Sequence, residues 1–83
     1  MKKIISIIGI GRVGLPLSLS FAEADFKVYG IDVNKDLIEK LNNKIMPFME
    51  KNALELLQKH SNNTFFATCD YSVINESDYV IIS

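Results

Sequence analysis

The sequence has little with which to staple or metallate a fold. Among 83 residues there are one cysteine, one histidine, two prolines and no tryptophan. A single cysteine forms no internal disulfide. Cys69 and His60 do not make a cluster with zinc spacing, so a disulfide scaffold and a structural metal site are both excluded. A reducing, cytoplasmic setting fits. Basic charge is also lacking: nine Lys and Arg against ten Asp and Glu give a net charge of −1, with no basic run. Sequence-independent binding to nucleic acid needs a basic footprint and is disfavoured. No apolar stretch approaches the ~20 residues of a membrane span. Met1-Lys2-Lys3 followed by Ile4–Ile10 has the layout of a signal peptide, and Ala22-Glu23-Ala24 imitates its cleavage site, but Arg12 interrupts the apolar stretch. The stretch reads instead as a buried strand. What is there is the balance of a folded chain, 48% apolar and 23% charged. The length allows one small domain, which at this size buries only about 60% of its unfolded surface.

The pattern along the chain alternates. Lys3–Ile8 is a short Ile-rich run ended by glycine, which predicts a fully buried parallel strand. Val13–Ala24 predicts a helix, with Val13, Leu17 and Phe21 four apart, Leu15, Leu19 and Ala22 filling in, and Pro16 in the first turn. Lys27–Ile31 is a second strand. Asn34 is a candidate N-cap for a helix lined by Leu37, Ile38, Leu41 and Ile45, and ended by Pro47. A third helix is expected over Glu50–Lys59, with Ala53, Leu54 and Leu57 inward. Thr64–Thr68 is a third strand, Asp70 caps a short helical turn over Ser72–Asn75, and Tyr79–Ile82 is a fourth strand. Strands alternating with helices imply a parallel sheet with right-handed crossovers.

Glycine is scarce too, with four in the chain, but Gly9, Gly11 and Gly14 fall within six positions. Gly9-Ile10-Gly11-Arg12-Val13-Gly14 matches G-x-G-x-x-G, between a predicted strand and a predicted helix. In that context Gly9 permits the tight turn, Gly11 lets the backbone approach a pyrophosphate, and Gly14 lets helix and strand pack closely. N–H groups at the helix start, those of Arg12 and Val13 among them, then hold the diphosphate with the positive end of the helix dipole. The bland alternative is a glycine turn that only packs tightly. Asp32 lies 18 positions after Gly14, at the end of the second strand, near the ~20 expected for the acid that binds the adenosine ribose. Such a carboxylate repels a 2′-phosphate, and Val33 rather than Arg follows it, so NAD is favoured over NADP. Its bland alternative is a helix cap or solvated strand end. The expected fold class is therefore α/β, a partial Rossmann-type doubly wound parallel sheet.

The other chemically able residues are weaker candidates. His60 has no partner in reach by sequence and reads as a C-terminal helix residue. Cys69 has nothing arranged to activate it and reads as a bystander thiol. Glu50 and Asp70 are most simply helix-start acids. The Arg12 side chain is open between a phosphate contact and solvent. Tyr29, Phe65 and Phe66 read as sheet-face packing. No catalytic or metal-binding residue emerges.

At this point Gly9–Leu17, with its Leu15-Pro16-Leu17 tail, resembles the opening of the UDP-glucose/GDP-mannose dehydrogenase family. The resemblance continues through Tyr29–Asn34, Leu41-Asn42-Asn43, Met46–Glu50, Ala67–Ser72 and Ser77–Ile82, and so covers essentially the whole chain. The Leu-Pro-Leu looks most like the branch acting on UDP-N-acetylhexosamines. The resemblance implies an NAD-dependent enzyme that oxidises the C6 hydroxyl of a UDP-sugar to a carboxylate with two NAD⁺, through a cysteine in a later domain whose motif Cys69 does not match. It also implies a homo-oligomer, while the charge balance and the lack of a spanning apolar stretch speak against nucleic-acid and membrane partners. Residues 1–83 then correspond to the N-terminal portion of a dinucleotide-binding domain, inactive alone, with sheet edges and apolar faces left exposed.

Three positions depart from the family pattern. Lys44 stands where many members have Gly. Lys51-Asn52 replaces a frequent Pro-Gly, although Asn tolerates the left-handed conformation a Gly would supply. Leu37 stands where many members carry a cation, leaving Lys35 the nearest. Two other readings compete: a nucleotide-binding regulatory module of the potassium-transport type, and an NAD-dependent dehydrogenase of the hydroxyacyl-CoA type. The long connection between the second and third strands, with Pro47 inside it, and Thr68-Cys69-Asp70 after the third strand speak against the first, and the Met46–Glu50 stretch against the second.

Overall fold

The computed structural model describes residues 2–50 and 52–83. Ile4–Ile8 forms β1, Lys27–Ile31 β2, Phe65–Thr68 β3 and Tyr79–Ile82 β4. They pair in parallel in the order β3-β2-β1-β4. Helix α1 (Gly14–Glu23) joins β1 to β2, and α2 (Lys35–Asn42) and α3 (Ala53–His60) join β2 to β3. A short 3-10 helix, Tyr71–Glu76, leads into β4. Two strands match the predicted bounds and the others differ by one residue. The predicted start of the third helix includes Lys51, which with Met1 lies outside the described residues.

Alternation along the strands sorts the two faces. Ile5, Ile7, Val28, Phe65 and Ala67 point into one core with Leu15, Leu19, Ile38, Leu41, Ala53 and Leu57 of the helices. Burying such side chains supplies about 1.5–3 kcal/mol each, which is what holds three short helices on the sheet. Gly30 belongs to this face for steric reasons. A Cβ there would stand 2.7 Å from the Phe65 ring, so the missing side chain makes room for a buried aromatic. The opposite face carries Ser6, Tyr29 and Phe66. Ser6 bonds Ser77, the Tyr29 hydroxyl donates to Glu76, and Lys27 Nζ sits 5.1 Å from the Tyr29 ring centroid. The edge strand β4 exposes Tyr79, Val80 and Ile82.

Several expected inward positions are corrected. Val13 is 73% exposed, because it precedes α1, and the buried stripe is Leu15, Ser18, Leu19 and Ala22. Ile45 is not on α2 and is exposed. The helix ends well before Pro47, in a Schellman motif: Ile45 N–H donates to Lys40 O at 2.8 Å and Lys44 N–H to Leu41 O at 3.0 Å. Lys44 takes the left-handed conformation there, φ 61°, where a glycine is unstrained. Leu54 is also exposed. The inward face of α3 runs through Ala53, Leu57 and His60, so Leu54 falls to its side. Glu50 lies before α3, its carbonyl accepting from Ala53 N–H, and Asn52 adopts φ 66° as N-cap. Asn34 and Asp70 cap as expected, accepting from Leu37 N–H and Ser72 N–H. The hydrogen bonds from Ser72 hold the Asp70 carboxyl below the ordinary carboxylate range. Among the described residues no helix is long and apolar enough to cross a membrane.

Candidate functional site

The chain leaves β1 toward β2 on one side, while β4 lies on the other side of β1. In open parallel sheets such a reversal opens a crevice at the carboxyl ends of the strands, where ligands bind. The glycine turn occupies this point. Gly9 follows β1 with φ 90° and donates its N–H to Ile31 O at 2.8 Å. Ser83 follows β4, donates its N–H to Ile8 O at 3.0 Å and bonds the Gly9 carbonyl through its hydroxyl.

The glycines differ in what surrounds them. A Cβ on Gly14 would overlap the Gly9 carbonyl oxygen and stand 2.6 Å from Ser83 Oγ, so this glycine sets how closely α1 sits on β1. A Cβ on Gly11 would meet nothing within 4 Å. That open space lies beside the helix start, where the N–H groups of Arg12 and Val13 have no acceptor among the described residues. Free N–H groups at the positive end of a helix dipole favour an anion.

Asp32 is drawn to the same turn. Its Oδ2 accepts from Ile10 N–H at 3.1 Å and its Oδ1 from Asn34 N–H at 3.0 Å. Asn34, not Asp32, is the cap of α2. Each carboxylate oxygen retains acceptor capacity, and the residue is half-buried at the crevice. The site therefore combines an anion cradle with a fixed carboxylate able to accept from a diol, which fits the diphosphate and ribose of a dinucleotide. Leu37 is half-buried against the core, and Lys35 is exposed at the start of α2.

Sequence reasoning missed three contacts here. The Ile10–Asp32 bond and the Ser83 hydroxyl on Gly9 depend on strand order, which local spacing does not encode. The third is Phe48, whose ring lies under the Arg12 guanidinium at 5.2 Å. The motif itself pointed to Arg12, but nothing in the spacing pointed to Phe48.

The remaining candidates lie elsewhere. His60 is buried, 5% exposed, at the end of α3. Its Nε2–H donates to Glu23 Oε1 at 2.8 Å and its Nδ1 shares a hydrogen bond with Thr64. Lys59 Nζ donates to the same Glu23 oxygen at 2.8 Å. The hydrogen bond from Lys59, followed by that from His60, holds the Glu23 carboxyl below its ordinary value. This cluster ties α3 to the far end of α1. Cys69 is half-buried just after β3.

Residues 3–83 match the model for the UDP-glucose/GDP-mannose dehydrogenase family, NAD binding domain. The chain belongs to this family. It is 32% identical over 95% of its length to the UDP-glucose 6-dehydrogenase AglM of Haloferax volcanii, of which it covers 18%. A crystal structure of GDP-mannose dehydrogenase from Pseudomonas aeruginosa superposes with a TM-score of 0.89 at 28% identity, over 95% of this chain and 19% of that one. The UDP-N-acetyl-mannosamine dehydrogenase Cap5O from Staphylococcus aureus gives a TM-score of 0.87 at 28% identity, over 98% of this chain and 19% of that one. The chain spans less than a fifth of the length of the curated relatives it matches. Membership in the UDP-glucose/GDP-mannose dehydrogenase family makes NAD the cofactor. It favours this family over the regulatory-module and hydroxyacyl-CoA readings.

Proposed function

We propose that this chain holds NAD through Gly9, Gly11, Arg12, Val13, Gly14 and Asp32. The N–H groups of Arg12 and Val13 take the diphosphate, which approaches the backbone at Gly11. Gly9 and Gly14 shape the turn and bring α1 close. Asp32 accepts from the adenosine ribose hydroxyls and, by its charge, selects NAD over NADP. The observation that carries this reading is the open space at Gly11 beside two free N–H groups, with the Asp32 carboxylate tied to the same turn.

Residues 1–83 form the N-terminal portion of the dinucleotide-binding domain and supply no catalytic residue, so the chain alone binds NAD weakly and turns nothing over. The whole protein is a nucleotide-sugar 6-dehydrogenase. It oxidises the C6 hydroxyl of a UDP-sugar to a carboxylate at the expense of two NAD⁺ and one water, and works as a homo-oligomer in the cytoplasm. Leu15-Pro16-Leu17 favours a UDP-N-acetylhexosamine. Leu15 is fully buried in α1 while Pro16 occupies its first turn, so the tail shapes the helix that carries the anion cradle.

Titration of NAD against wild type and Asp32→Ala tests the site. Loss of at least about tenfold in affinity is expected, since a hydrogen bond to a charged group contributes about 1.5–3 kcal/mol; unchanged binding rejects the ribose role. Turnover of UDP-N-acetylmannosamine against UDP-glucose by the full-length protein tests the substrate, and preference for UDP-glucose rejects the hexosamine reading.

A further inference from the structure

The Met46–Glu50 segment meets the site only through Phe48, at the border of the glycine turn. Phe48 is half-buried against the core, so its ring is anchored from below. Its face carries the Arg12 guanidinium, whose central carbon lies 5.2 Å from the ring centroid. A cation over an aromatic face is attracted by the ring quadrupole and loses side-chain freedom in the process. Arg12 is exposed and joins no ion pair among the described residues. It directly follows Gly11, the position with open space for a ligand.

We propose that Phe48 is a positioning residue that holds the Arg12 guanidinium as a side-chain clamp on the bound diphosphate. The proposal rests on the dinucleotide reading above. Three physical steps support it. An unpaired arginine must surrender rotamer entropy when it grips a ligand, and a ring that restricts it beforehand reduces that cost. A guanidinium stacked on a ring keeps its full charge and a planar fork of donors that matches phosphate oxygens. The Phe48 side chain presents no hydrogen-bonding group, so its effect on an anion passes through Arg12.

The last step sets the test. NAD affinity is measured across a salt series for the full chain and for Arg12→Gln, Phe48→Leu, Phe48→Tyr and the Arg12→Gln/Phe48→Leu double variant. Arg12→Gln is expected to weaken NAD about tenfold, as for loss of a charge-assisted contact. Phe48→Leu, which keeps an apolar anchor without a ring, is expected to weaken it about threefold, the scale of an exposed cation–π contact. Phe48→Tyr restores wild-type affinity, and the double variant is no weaker than Arg12→Gln alone. Both single losses shrink as salt rises. Circular dichroism confirms folding, and Phe48→Met replaces Phe48→Leu if the latter lowers Tm. Wild-type affinity in the ring-lacking variant overturns the proposal, as does an equal loss in the Arg12→Gln background. A wild type that binds no NAD overturns the underlying reading as well, which separates the two failures.

Discussion

The backbone N–H of Ile10 donates to Oδ2 of Asp32 at 3.1 Å, so the acid directly after β2 is fixed by the glycine turn that follows β1. Asn34 N–H holds the other oxygen at 3.0 Å. Two donors on opposite oxygens fix the plane of the carboxylate before any ligand arrives. Asp32→Asn keeps the shape, removes the charge and leaves one of these N–H groups facing an amide NH₂. NAD affinity is expected to fall about tenfold or more. NADP, no longer repelled at its 2′-phosphate, falls less, so the NAD-to-NADP affinity ratio drops by about tenfold. Parallel titrations of both cofactors check this, and an unchanged ratio removes the electrostatic account of selectivity.

Gly11 and Gly14 are three positions apart and are expected to fail in opposite ways. At Gly11 a methyl group meets nothing within 4 Å, so Gly11→Ala keeps the fold and obstructs only the approach of a diphosphate. At Gly14 the methyl would overlap the Gly9 carbonyl, and neither backbone can yield without moving α1 off the sheet. Gly14→Ala is expected to cost about 3 kcal/mol or more, a Tm loss of about 12 °C or more in a domain this small. Thermal melts and NAD titrations on the two variants separate the effects. A Gly14→Ala protein with wild-type Tm contradicts the packing role.

The two signals behind the proposed site, glycine spacing and an acid at a fixed distance, were legible because each is a short-range feature of the sequence. The strands were legible because runs of four to six residues rich in β-branched or aromatic side chains sit between glycines, caps and polar turns. Rotation about a helix axis was harder to read. Val13, Leu54 and Ile45 fit a helical stripe by spacing, yet each sits just before, beside or beyond the face that neighbouring elements cover. His60 is the converse: it looked solitary because its partner, Glu23, lies 37 positions away and meets it only once α1 and α3 pack together. Gly30 had no signal at all, since its reason is the ring of Phe65 on the adjacent strand.

Lys44 marks where the sequence accepts local strain. It is exposed and adopts φ 61° in the motif that ends α2, a conformation that costs an L-residue about 1–2 kcal/mol. Lys44→Gly relieves that cost but adds about 0.5–1 kcal/mol of chain entropy in the unfolded state. A net gain of about 0.5 kcal/mol is expected, seen as a Tm about 2–4 °C higher. Lys44→Ala keeps the strain and gains nothing, so equal effects from both variants point away from φ as the cause.

Glu23 gives the fold an acid-sensitive tie. Its carboxyl accepts from Lys59 Nζ and His60 Nε2, and these bonds, the one from Lys59 first, hold its pKa in the folded chain below the ordinary 4.5. A depressed pKa stabilises the fold above the unfolded value, and that contribution is lost as pH falls through the folded value. The window thus lies below 4.5, where the unfolded chain takes up the proton first. Glu23→Gln lacks the titrating group. Its Tm is expected to lie below that of wild type at about pH 6, with the gap narrowing as pH falls toward about 3. Lys59→Met removes the larger cause and leaves the folded value less depressed, so in that variant the acid-dependent loss is smaller and is complete at a higher pH. Melts of the three proteins across this range check the order. A gap that stays constant down to about pH 3 places the acid sensitivity on other carboxylates.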